Sequence, residues 1–116
     1  MRDQLPECPV ATTVLLIGAK WKMLILREMM ASAPAGLRFS QLKKGVEGVS
    51  DKMLSQGLKA MEEDGLIRRT VIPAAPPRVE YTLTEMGENL MPVVDAMYDW
   101  GKEYQRLAGV SGCVIG

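Results

Sequence analysis

Apolar side chains recur every three or four positions along Lys20–Ala31 (KWKMLILREMMA), so that Trp21, Leu24, Ile25 and Met29 share one side. That spacing predicts an amphipathic helix. A shorter helix is expected upstream, from about Val10 to Ile17, with Pro9 suited to its first turn and Gly18 to its end. Ser32–Gly36 (SAPAG) breaks the pattern, and Leu37–Phe39 leaves room for only a very short strand. Ser40 is the expected N-cap of a helix through about Val46, with Leu42 and Val46 one turn apart. Gly45, Gly48 and Val49 then make a tight connection. Ser50 caps a further helix, Asp51–Asp64, whose first turn carries Asp51 where the helix dipole favours an anion. Leu54, Leu58 and Met61 form its buried stripe, and Gly65 closes it.

The period then changes from helical to alternating. Leu66–Ile72 (LIRRTVI) and Arg78–Leu83 (RVEYTL) are expected strands, and the Pro-rich Pro73–Pro77 between them must loop. Thr84 caps a last helix running from Glu85 to about Leu107, in which Leu90, Val93 or Val94, Met97, Tyr104 and Leu107 recur at helical spacing. Pro92 lies inside this helix and is expected to kink it. The predicted fold is mainly α with a small β-hairpin wing, that is, a winged helix-turn-helix. Residues 1–108 are expected to form one DNA-binding and dimerisation domain, and residues 109–116 a flexible tail.

Composition removes most other functions. The chain has 116 residues, room for a single domain. It has two cysteines, Cys8 and Cys113, and no histidine. Two thiols make neither a disulfide scaffold nor a structural zinc site within one chain. Without histidine the commonest general base and metal ligand are missing. There is no Gly-rich phosphate loop, no metal-ligand cluster and no nucleophile beside a base, so an enzyme is not expected, nor a cofactor or metal. No apolar stretch is longer than Val14–Ile17, far too short to span a bilayer, and the N-terminus lacks the apolar core of a secretory signal. A cytoplasmic protein without a membrane partner is expected.

Net charge is zero, which at first argues against nucleic acid, but the distribution is uneven. Residues 20–78 hold eleven basic and six acidic side chains, whereas residues 79–106 hold two basic and six acidic. A basic middle followed by an acidic end fits a DNA-reading body with a separate association element. If Leu54, Leu58 and Met61 face the core, then Lys52, Ser55, Gln56 and Lys59 face outward. Glutamine can bond adenine through two atoms, serine donates or accepts, and lysine meets guanine or phosphate. A solvated polar face accounts for the same four residues. So two other readings stay open: a winged helix used only for protein association, and a DNA-binding regulator controlled by a small-molecule effector at its dimer interface.

Three stretches carry a resemblance: CPVATTVLLIGAKWKMLILREMM, LRFSQLKKGVEGVSDKMLSQGLKAMEEDGLI and PPRVEYTLTEMGENLMPVVDAMYDWG. Together they resemble the HxlR-type winged-helix regulators, relatives of the MarR group, from about Cys8 to Gly101. The resemblance implies a prokaryotic regulator that binds double-stranded operator DNA as a homodimer. It implies Ser50, Lys52, Ser55, Gln56 and Lys59 for the major groove. Arg38, Gln41 and Lys43 would approach phosphates, and Arg78 at the wing base the backbone or minor groove. Of Arg68 and Arg69, adjacent on a strand, one is expected to point away from DNA. Gly57 departs from the pattern, since a long polar or basic side chain is more usual there. Glycine costs about 1 kcal/mol of helix propensity relative to alanine and is expected to remove a DNA contact.

The last helix, with Leu90, Val93, Val94, Met97, Trp100 and Tyr104, is expected to form the two-fold interface together with the N-terminal helix. Cys8, at an N-cap beside Pro9, meets unpaired helix N–H groups that favour the reactive thiolate, while Glu7 and Asp3 would oppose it. In the resembling family such a cysteine senses quinones, aldehydes or oxidants, which makes a small electrophile or oxidant at Cys8 an expected partner. The alternative is an unreactive small side chain. Cys113 would either resolve an oxidised Cys8 across the dimer or play no part. The nine methionines suit gap-filling in the core and interface, or the lining of a ligand cavity.

Overall fold

A computed structural model describes residues 4–109. Cys113 and the rest of the expected tail beyond Gly109 lie outside the described residues. Helices α1 (Pro9–Ile17), α2 (Lys20–Ser32), α3 (Phe39–Gly45) and α4 (Asp51–Glu63) come first. They are followed by strands β1 (Ile67–Ile72) and β2 (Arg78–Leu83) and helices α5 (Glu85–Glu88) and α6 (Met91–Leu107). Helix α2 is central because its apolar stripe is the longest in the N-terminal half. Ile25 and Leu26 are fully buried and join Met29, Leu42 of α3, and Leu54, Leu58 and Met61 of α4 in one cluster. Each such side chain contributes about 1.5–3 kcal/mol by leaving water.

The strands pair antiparallel, with Ile67 opposite Leu83 at the root and Ile72 opposite Arg78 near the tip. Leu37 adds a one-residue third strand: its N–H donates to the Tyr81 carbonyl and its carbonyl accepts from Tyr81 N–H, at 3.0 and 2.8 Å. The hairpin packs through its root and through Tyr81 and Leu83 of β2, which lie against the core cluster. Ile67 is buried, and the next four residues of β1 are exposed on both faces, as expected of a projecting wing.

Two expectations about the helices are corrected. The single helix expected after Thr84 is two helices, separated at Asn89 and Leu90. Pro92 lies in the first turn of α6 instead of kinking a longer helix. Proline lacks the N–H that a helix interior needs, whereas the first turn needs none, so the chain restarts its helix there. Helix α3 begins at Phe39, capped by Arg38 and not by Ser40. Gln41 decides this, since its side-chain oxygen accepts the Arg38 N–H at 2.8 Å.

The faces of α6 also differ from expectation. Val94 is 7% exposed and belongs to the chain's own interior, and Leu90, partly buried, packs against the core cluster. Val93, Met97, Trp100 and Tyr104 remain exposed, and the Trp100 and Tyr104 rings stack with centroids 5.4 Å apart. At the outer end Arg106 bonds the Glu103 carboxylate and holds it below the usual carboxylate range, with both groups in water. Among the described residues no single helix is long and apolar enough to cross a membrane.

Candidate nucleic-acid interface

Helices α3 and α4 and the turn between them form the helix-turn-helix. The turn is built on two buried apolar side chains, Val46 and Val49, flanking Gly48. Gly48 has φ of +86°, a left-handed conformation that glycine adopts without the strain of a Cβ. Lys43 ties the turn: its ammonium donates to the Val49 carbonyl at 2.7 Å and lies 3.3 Å from the Asp51 carboxylate. Lys43 therefore also holds the turn, while its side chain stays 41% exposed. Gln41 is similarly occupied at the α3 cap. Arg38, which donates only its backbone N–H there, keeps an exposed side chain.

Helix α4 starts where expected. The Ser50 hydroxyl accepts the Met53 N–H at 3.1 Å, satisfying one of the otherwise unpaired N–H groups of the first turn. Its hydroxyl is thus partly committed to the cap. Leu54, Gly57, Leu58 and Met61 are buried. Lys52, Ser55, Gln56 and Lys59 are all exposed. At about 100° per residue these four cover a face roughly 100° wide, opposite the buried stripe. This arrangement presents two ammonium groups, one amide and one hydroxyl together, which is the chemistry that base edges and phosphates require.

Gly57 is not an outward position. A Cβ there would sit 3.0 Å from Ile25 Cδ1, so the glycine marks the close approach of α4 to α2 and its loss of a side chain removes no DNA contact. The expected consequence is measurable by thermal melts. At Gly101, in α6, a Cβ meets nothing within 4 Å, and Gly101→Ala should gain about 1 kcal/mol from helix propensity. Gly57→Ala should gain clearly less, because Ile25 must move inside a packed core. Equal gains would show that Ile25 does not restrain the site.

The wing stands on a junction that pattern reading only partly revealed. Thr84 does cap α5, its hydroxyl accepting the Gly87 N–H at 3.1 Å. The same hydroxyl donates to the Gly65 carbonyl at 2.6 Å, at the end of α4. One side chain thus pins the base of the hairpin to the end of the helix that would read DNA. A Thr-x-x-Gly cap is visible in sequence; its bond across nineteen positions is not. Arg78 is exposed at the wing and lies 3.2 Å from Glu80, so it is partly neutralised. Arg68 and Arg69 are both exposed and alternate across the hairpin's two faces.

Cys8 is the N-cap of α1 and is exposed, with no side-chain bond to the helix. Its carbonyl accepts the Thr12 N–H at 3.0 Å, which orders the backbone around it. No group of His, Cys, Asp and Glu among the described residues could hold a metal ion.

Known proteins agree with this architecture. The family model HxlR-like helix-turn-helix matches residues 16–108. An uncharacterised HTH-type transcriptional regulator of Methanothermobacter thermautotrophicus is 42% identical over 104 residues, 90% of this chain and 77% of its own. The crystal structure of a MarR-family transcriptional regulator from Porphyromonas gingivalis W83 superposes with a TM-score of 0.77. It is 35% identical, over 89% of this chain and 98% of that one. The redox regulator HypR in its oxidised form gives 0.75 at 36% identity, over 83% of this chain and 96% of its own. These relatives are transcriptional regulators and not enzymes. With the family model matching residues 16–108 and relatives such as these, the chain belongs to the HxlR-like helix-turn-helix family of transcriptional regulators.

Proposed function

We propose that the chain reads operator DNA as a homodimer, inserting α4 into the major groove through Lys52, Ser55, Gln56 and Lys59, with Cys8 as a thiol switch. The observation that carries the DNA reading is the two-sidedness of α4: four groove-compatible side chains exposed, and the opposite stripe locked into the core. Arg38 beside α3, and Arg78 with one of Arg68 and Arg69 on the wing, add positive charge that suits the phosphate backbone. Ser50 and Gln41 cap their helices and Lys43 holds the turn, and all three keep exposure on the side of α3 and α4 that would meet DNA.

Dimerisation is supported by the exposed apolar side chains of α1 and α6. Val10 and Val14 on α1, and Val93, Met97, Trp100 and Tyr104 on α6, are left to water in the single chain, Trp100 being 70% exposed. Large aromatic groups so exposed mark an association surface. A two-fold axis there would set two copies of α4 about 34 Å apart, or a multiple, on a near-palindromic site. Residues 1–108 would then act as one reading and pairing unit.

Lys59→Ala is expected to weaken operator binding and to lower the slope of log K against log salt by about one. Fluorescence polarisation on a selected operator across salt concentrations measures both. Unchanged affinity and slope would remove Lys59 from the contact, and salt-independent binding would favour protein association instead. For the switch, exposure of Cys8 at a helix N-terminus and the chain's likeness to HypR are the support. Cys8→Ser should keep the binding of the reduced protein and lose its response to diamide or a quinone. A full response in the variant would rule Cys8 out as the sensor.

A further inference from the structure

The large apolar side chains of the helix-turn-helix are buried or packed on the core, with one exception. Leu42 and Val46, and Leu54, Leu58 and Met61 of α4, are buried, and Phe39 packs against their cluster. Met53, in the first turn of α4, is 39% exposed. Among the described residues it is the one large apolar side chain that α3, the turn and α4 leave exposed. Pairing through α1 and α6 accounts for exposed groups such as Val14 and Trp100, but Met53 lies on neither helix. Its backbone is fixed, because the Met53 N–H donates to the Ser50 hydroxyl at 3.1 Å. The cap therefore sets where this side chain leaves the helix. At about 100° per residue, Met53 stands roughly 60° from Gln56, at the edge of the face that carries Lys52, Gln56 and Lys59.

We propose that Met53 reads the methyl group of a thymine in the major groove, next to the base that Gln56 meets; this rests on the DNA reading of α4. Residues at the N-terminal end of a recognition helix are the ones that reach base edges. Thymine alone among the bases presents an apolar group there, its C5-methyl, and apolar side chains recognise it by contact. Lysine, serine and glutamine select donors and acceptors and have no use for a methyl group. Methionine is long, unbranched and adaptable, so it can follow the groove surface to that contact. Residues three apart on a helix have Cβ atoms about 5–6 Å from each other. Successive bases on a strand are about 3.4 Å apart, so Met53 and Gln56 span one or two base-pair steps. Gln56 on an adenine and Met53 on a thymine would together select a short A·T-rich element in each half-site.

The test uses the full chain and a duplex that it selects from a random pool. Each thymine of that duplex is replaced in turn by uracil, which removes the methyl group and leaves every hydrogen bond of the base intact. One thymine per half-site should then cost the native chain about fourfold in affinity, the size expected for one buried methyl group. It should lie within two base pairs of the position at which Gln56→Ala relaxes selection. Met53→Ala should bind the thymine and uracil duplexes equally, with an unchanged melting temperature, and Met53→Leu should restore the difference. Full discrimination in Met53→Ala would assign the methyl group to another residue and overturn the inference. A selected duplex in which no thymine responds to uracil would overturn it too, while leaving the DNA reading in place. Failure to select any duplex would overturn the DNA reading and this inference with it.

Discussion

Gly87→Ala is expected to lower stability by about 3 kcal/mol or more, at the upper end of what overpacking costs. A Cβ at position 87 would sit 2.1 Å from the Leu66 carbonyl oxygen and 3.3 Å from Leu83 Cδ2. The first of these is backbone and cannot rotate away. It also accepts the Thr84 N–H at 3.1 Å, so moving it breaks a bond at the base of the wing. Nor can α5 retreat freely, because the Thr84 hydroxyl holds both Gly87 and Gly65. At about 4 °C per kcal/mol for a domain of this size, the melting temperature should fall by more than roughly 10 °C. Calorimetry at matched protein concentration measures this, since association would shift both melts. A fall of only one or two degrees would show that α5 is free to move.

Leu54→Ala should cost about 2–5 kcal/mol, the range for deleting a fully buried leucine. Leu54 has no exposure and joins Ile25, Leu26 and Leu58 in the core, directly beneath the first turns of α4. The substitution alters no exposed group, since its neighbours Ser55 and Gln56 keep their chemistry. What it removes is the seat of the helix. Amide hydrogen exchange along α4 should therefore rise more than along α6, and operator affinity should fall with the population of the seated helix. If stability falls but exchange rises uniformly, α4 is no less firmly held than the rest of the fold.

These two residues also separate what each level of description contributes. Leu54 was legible at once, because a stripe at 54, 58 and 61 fits only one face of a helix, and the same periodicity left Lys52, Ser55, Gln56 and Lys59 outside. Strands at Ile67–Ile72 and Arg78–Leu83 were equally legible from alternation and a Pro-rich tip, as was the Ser50 cap. These features are local, set by the spacing of side chains along a few turns. By contrast, Gly87 carried no sign of its role, since its neighbour is a carbonyl twenty-one positions away that only packing brings close.

The same holds for Gly57. Its place beside the buried stripe is a matter of helix geometry, but contact with Ile25 depends on how near α2 lies. Lys43 and Arg78 read as free charges until their partners, Asp51 with the Val49 carbonyl and Glu80, were placed beside them. Val94 read as an interface residue because a helical apolar stripe does not say which body it will cover. The order of elements through the hairpin, the outward polar face of α4 and the family were thus determined by the sequence itself. Which groups remain available to a partner was decided by tertiary structure, because availability is what is left after residues distant in sequence have used each other's hydrogen bonds, charge and surface.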